Sequence, residues 1–202
     1  MSGHISNSQL QFEALLGGET ARAGMIELLE WLEASGFYEC PASTKYHGVY
    51  SGGLADHSLN VFIQLLALDR MYNAGKTPKE SIIIAGLLHD VCKVGAYIQR
   101  SEAGDQRSEY AHNKEHPAGH AELSIQCLEG FIELTGLERS MIRFHMGVYG
   151  CREFSAQRGE YGVLDLSGAI ECIPVKLMHF ADQLATLDEQ AGSPCTQTGG
   201  QS

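Results

Sequence analysis

Apolar residues along this chain recur at three- and four-residue spacings, the period of helices, and seldom alternate as in half-buried strands. The spacing predicts helices over residues 8–16 and 20–35, the second with Met25, Leu28, Leu29 and Leu32 on one side and Gly36 as its stop. Residues 40–53 read as a loop of small and aromatic residues. On a helix over 54–72, His57, Val61, Leu65 and Leu68 fall at i, i+4, i+8 and i+11, which turns His57 toward the buried face. Thr77, Pro78 and Glu80 read as a capping box opening the next helix. Its body, residues 82–88, is apolar on every side, which predicts a central helix enclosed by its neighbours. Further helices are expected over 117–131, with His120 in the first turn and Leu123, Cys127 and Phe131 inward, and over 137–146, with Met141 and His145 on one face. A last one, over 174–187, has Val175, Met178, Asp182 and Ala185 on one side. Residues 147–168 break the pattern and read as an irregular insertion or short hairpin. The whole reads as an all-α bundle: N-terminal helices over 1–39 packed on a core of 40–190, a disordered tail over 191–202, and one structural domain overall.

Composition narrows the function classes. With 202 residues, 44% of them hydrophobic and 19% charged, the chain suits one globular domain and excludes general disorder and a coiled coil. No apolar run approaches the ~20 residues of a membrane span. The opening MSGHISNSQL lacks the basic and apolar regions of a secretory leader, so a soluble, cytoplasmic protein without membrane partners is expected. Fourteen Lys and Arg face 25 Asp and Glu, a net charge of −11. Such a field opposes polyanions, so long nucleic acid is not an expected partner and a phosphate-bearing ligand would be small or held locally. The six cysteines are scattered without a C-x-x-C pair, which leaves a zinc ribbon or thioredoxin-like motif unsupported.

Histidine carries the chemistry. His57, His89, His120, His145 and Asp182 each fall on a different predicted helix, on or beside its apolar face. The pair His89-Asp90 directly follows the apolar run, where burial is costly unless something satisfies both side chains. Taken alone, the His89-Asp90 pair is better read as a capped helix end with a hydrogen-bonded His, and His57 as a satisfied core histidine; together the five match the way bundles build metal sites. Imidazole with carboxylate suits zinc, iron, manganese or nickel rather than calcium. Lys93, one turn from His89, is either an ammonium beside a bound phosphate or a solvated cation at a helix end. His47 and Tyr50 either line a pocket mouth or occupy an ordinary surface loop, and Arg152 and Arg158 either close over an anionic substrate or are solvated loop charges. His112 and His116 extend an i, i+4 series back from His120, but Pro117 makes the backbone before it non-helical. His179 reads as structural.

The order His57, His89-Asp90, Asp182 resembles the H…HD…D signature of the HD-domain metal-dependent phosphohydrolase superfamily, through GGLADHSLNV, AGLLHDVCKVG and LMHFADQLAT. The segments PAGHAEL at His120 and RFHMG at His145 are similar to the two additional histidines of binuclear members. Within the superfamily the chain most resembles the HD module of bacterial 3′–5′ exoribonucleases, through YHGVYSGGLADHS, and the resemblance covers residues 46–187. It implies an HD-domain helical bundle that hydrolyses a phosphomonoester or phosphodiester of a nucleotide or another small phosphorylated substrate through metal-activated water. It further implies one metal on His57, His89, Asp90 and Asp182, and a second on His120 and His145 bridged by Asp90, drawn from Fe, Mn, Zn, Ni or Mg. Asp90 and Lys93 would be the catalytic residues, with Lys93 also contacting phosphate. Three features depart from the pattern: Cys92 stands where many relatives carry Gly, Met146 where binuclear relatives often carry a second His, and there is no room for a separate nucleic-acid-binding module. The last argues against processive RNA degradation. A di-iron oxygenase of the same fold and a non-catalytic metal-bearing nucleotide sensor stay open as alternatives.

Overall fold

A long apolar run must be enclosed on all sides, and the chain is built around one. In this computed structural model, which describes residues 6–100, 109–117, 119–147 and 171–192, every residue from 82 to 88 is buried. They form most of helix α4 (Lys79–Leu88). Around it stand α1 (Asn7–Glu19), α2 (Met25–Ala34), α3 (Gly53–Tyr72), α5 (His120–Glu129), α6 (Gly136–Phe144) and α7 (Ile173–Gly192). Helix α3 packs on α4 and, most extensively, on α7, while α6 lies against α4, α5 and α7. One cluster of buried side chains runs through the bundle, from Phe12 and Leu16 of α1 to Met178 and Ala185 of α7. The fold is all-α, as the periodicity implied. Among the described residues the strands are confined to a small antiparallel hairpin, β1 (Tyr97–Gln99) with β2 (Tyr110–His112). No described helix is long and apolar enough to cross a membrane.

A glycine sets how closely α3 and α4 approach. A Cβ added at Gly86 would lie 2.8 Å from Phe62 Cα and 3.1 Å from Phe62 Cβ. Gly86→Ala therefore has to push the two helices apart, and is expected to destabilise by about 1–3 kcal/mol, the usual cost of overpacking. Chemical denaturation checks this, and an unchanged midpoint would refute it.

Several expected details come out differently. The Thr77–Glu80 capping box does not form. Thr77 turns its hydroxyl back to Asp69 at the end of α3, where Asn73 Nδ2 also donates to Asp69 Oδ1 at 2.8 Å, and Pro78 takes the cap position without a side-chain bond. Glu80 accepts instead from Arg22 at 3.2 Å and from the backbone N–H of Ala21 at 3.1 Å. The capping box that does form opens α6, between Thr135 and Glu138. Helix α2 begins at Met25 rather than near residue 20, because Gly24 adopts φ 83° and breaks the helical path. On α5 the inward residues are Ala121, Ser124, Ile125 and Leu128, while Leu123, Cys127 and Phe131 are half-buried. The small Ala121 and Ser124 admit the 3-10 turn Val91–Lys93, and Ser124 Oγ accepts the Cys92 N–H at 3.2 Å. Helix α7 continues to Gly192, past the expected end at 187. Of the expected insertion at 147–168, Gly147 alone falls within the described residues, as do none of the positions beyond 192.

Candidate metal centre

The last carbonyls of a helix have no partner within it, and two histidines use that vacancy. His89 stands at the cap of α4 and its Nδ1–H donates to the Gly86 carbonyl at 3.1 Å. His145 stands at the cap of α6 and its Nδ1–H donates to the Ile142 carbonyl at 2.6 Å. With Nδ1 committed as the donor, a neutral imidazole presents Nε2 as its lone pair. Nε2 of His89 lies 3.3 Å from Asp90 Oδ2 and 4.0 Å from Asp182 Oδ1. Nε2 of His145 lies 3.5 Å from Asp90 Oδ1, and Nε2 of His57, from the inward face of α3, lies 3.2 Å from Asp182 Oδ1. Three imidazoles from three helices thus converge on two carboxylates. The ring centroids of His57 and His89 are 5.6 Å apart, those of His89 and His145 4.9 Å.

The charges are poised for a cation. His57, His89, Asp90 and His145 are all buried, yet His89 Nε2 and Asp90 Oδ1 have no hydrogen-bond partner. Two such orphans side by side are costly in a native interior and mark a place where a missing group belongs. Burial works against an ionised Asp90, but the Lys93 ammonium at 2.7 Å and the adjacent imidazoles outweigh it and hold the carboxyl well below its usual range. Asp182 is likewise lowered against its burial, chiefly by the hydrogen bond from His57. Burial pushes His89 down, keeping it neutral. For His57 burial loses to the carboxylates of Asp182 and Glu189, which raise its pKa to about 9. Lys93 is raised above its ordinary value by Asp90, again against burial, and stays an ammonium. One ligand atom each from His57, His89 and Asp90 lies within 4.8 Å of the others. This mixed nitrogen and oxygen set fits a divalent transition metal.

The other expected residues are distributed around this cluster. His47 is held over it by a tight loop: Ser43 Oγ accepts from the N–H groups of Tyr46 and His47 and donates to the His47 carbonyl at 2.6 Å. Its ring centroid is 4.6 Å from that of His57, both its nitrogens are buried without a partner, and burial with the neighbouring His57 lowers its pKa to about 4. Tyr50 is exposed and its hydroxyl donates to Asp56 Oδ2 at 2.8 Å. His120, the first residue of α5, lies with Nδ1 3.7 Å from Cys92 Sγ. Among the described residues, no group of three ligand atoms within 4.8 Å includes His120 or His145. His112 sits on β2 with its ring near Tyr97, and His116 contacts the Pro117 carbonyl, so neither continues a ladder to His120. His179 Nδ1–H donates to the His145 carbonyl at 2.6 Å and braces the end of α6. Arg152 and Arg158 lie outside the described residues. Glu189, which the sequence reading passed over, accepts from His57 at 3.2 Å. Its signal was available: it follows Asp182 by two helical turns and so shares its face.

A helical bundle that gathers His, His-Asp and Asp at its centre defines a class. The family model for the HD domain matches residues 54–187, more than half of the chain, and the protein belongs to that family, in general one of metal-dependent phosphohydrolases. No curated protein matches the chain, and no solved structure does.

Proposed function

We propose that this protein is a metal-dependent hydrolase of a phosphomonoester or phosphodiester in a nucleotide or similarly small substrate. The observation that carries this reading is the convergence of three Nε2 atoms on Asp90 and Asp182, with two buried orphan atoms at the meeting point and the Lys93 ammonium beside them. His57, His89, Asp90 and Asp182 would hold one divalent ion, and His145, reaching the other oxygen of Asp90, would share a second with His120. When bound, the metal supplies Lewis acidity and a water whose pKa falls toward about 7.

The protein's own groups complete the site. Lys93, tied to Asp90 by one donor, keeps others for phosphoryl oxygens, whose charge a positioned cation stabilises through the transition state. His47, neutral and over the His57 ring, offers both a donor and an acceptor to the substrate at the rim. Tyr50, three residues on in the same loop, would offer its exposed ring, with Arg152 and Arg158 as further anion contacts. The likeness of YHGVYSGGLADHS to exoribonuclease HD modules favours a nucleotide, and the acidic balance favours a small one.

The test is hydrolysis under nitrogen. Chelator-stripped protein should be inactive toward p-nitrophenyl phosphate, bis(p-nitrophenyl) phosphate and a nucleotide panel, and Mn²⁺ or Zn²⁺ should restore it. Metal affinity should rise with pH toward about 9, because His57 has to shed its proton to ligate. Lys93→Ala should cost about 1–3 kcal/mol in kcat/KM. Turnover that consumes dioxygen and stops under nitrogen would replace the hydrolase by an oxygenase, and nucleotide binding without turnover by any metal would leave a sensor.

A further inference from the structure

The three converging imidazoles are anchored in two ways. His89 and His145 stand at helix ends and tie Nδ1 to a backbone carbonyl. His57 lies inside α3, where the preceding carbonyls are already engaged in the helix ladder. Its anchor has to come from another helix, and α7 provides it: Glu189 Oε1 is 3.2 Å from His57 Nδ1. The same oxygen accepts from Asn60 Nδ2 at 2.9 Å, one turn along α3, so the carboxylate is itself held in place. The next turn repeats the crossing, with Gln64 Nε2 donating to Asp188 Oδ2 at 2.8 Å. Glu189 lies beyond the last residue matched by the family model.

We propose that Glu189 is a positioning residue for metal uptake: its carboxylate fixes His57 with Nδ1 as the donor, so that Nε2 faces Asp182 and the ion. The inference rests on the metal reading given above. A carboxylate in this place does more than a backbone carbonyl, because it fixes the tautomer and also raises the basicity of the ligating nitrogen. Asp182 and Glu189 then act from one face of α7 on the two nitrogens of one ring, the first at the ion and the second behind it.

The experiment measures Zn²⁺ affinity by competition with a chromophoric chelator, and the His57 tautomer from ring ¹⁵N shifts of the metal-free protein at a pH above about 9, where the ring is neutral. Glu189→Ala should weaken Zn²⁺ by about 10–100-fold and let Nε2–H tautomer appear at His57. Glu189→Gln, which keeps an oxygen acceptor without the charge, should fall between Glu189→Ala and the parent. A purely structural role would lower the melting temperature of Glu189→Ala and leave affinity and tautomer unchanged, and that result overturns the proposal. Should Glu189→Ala fail to fold, Glu189→Gln decides alone: weakened binding supports the proposal and parental binding overturns it. Asp182→Asn separates the two levels. It should lose Zn²⁺; if it retains parental affinity, the centre lies elsewhere and both the metal reading and this inference fall. If it loses the ion while both Glu189 variants keep it, only this inference does.

Discussion

Asp90→Asn is expected to abolish metal uptake and phosphate-ester hydrolysis while leaving the helical fold in place. Asp90 is where the site's charges meet: one oxygen lies 2.7 Å from Lys93 Nζ and 3.3 Å from His89, the other 3.5 Å from His145. A carboxamide keeps the volume and removes the negative charge, so a dication would find a lysine ammonium with no counter-charge beside it. The expected loss of affinity exceeds the roughly 10–100-fold typical of a residue that only supports a ligand. The bundle should survive, because the apolar cluster is untouched and the Lys93 side chain retains some exposure, giving its ammonium a route to water. Elemental analysis of purified variant and parent, with circular dichroism on both, checks the two halves. Metal content equal to the parent's would remove Asp90 from the ligand set. His120→Ala is the companion: under the binuclear reading it lowers the metal count and leaves the His57–His89–Asp182 set filled.

Glu138→Ala should be the most destabilising change away from the centre, by about 3–5 kcal/mol. The Glu138 side chain is fully buried and its two oxygens each accept from Arg22 at 2.7 Å. Ser81 also donates to it at 2.7 Å and the Thr135 N–H at 2.8 Å. Truncation leaves Arg22 and Ser81 facing a void, which for a chain of this size corresponds to a fall in Tm of roughly 6–20 °C. The same carboxyl makes stability pH-dependent. Burial would raise its pKa, but the Arg22 and Ser81 bonds win and hold it below the usual value. A group depressed in the folded state contributes stability above its unfolded pKa and loses it as pH falls through the folded one. Parent and variant should therefore converge in stability under acid and diverge near neutrality. Parallel Tm profiles across that range would rule this out.

The core and the site differ in how much of them can be read from the chain. The enclosure of residues 82–88 is legible because an all-apolar run has one stable environment. His57, Met141, His145 and Asp182 could be assigned to inward faces because helical spacing fixes direction. Spacing along one helix does not reveal which partner across a helix pair a side chain meets. Thr77 and Glu80 have the right residues for a cap, yet Asp69 and Arg22, brought in by other helices, bind them more effectively. Glu189 shares the face of Asp182, but its role comes from the His57 and Asn60 side chains it meets on α3, which spacing along its own helix does not reveal. The hairpin was missed because strands of three residues are too short to show alternation.

His89 and His145 each stand one position beyond a helix, leashed to the carbonyl three residues back. An α-helix turns about 100° per residue. One residue added to or removed from α4 or α6 would carry an imidazole a quarter-turn or more out of the centre, whatever its chemical character. A change of length within α4 or α6 is therefore ruinous, and an insertion scan through these two helices would mark the centre as sharply as substitution of its ligands.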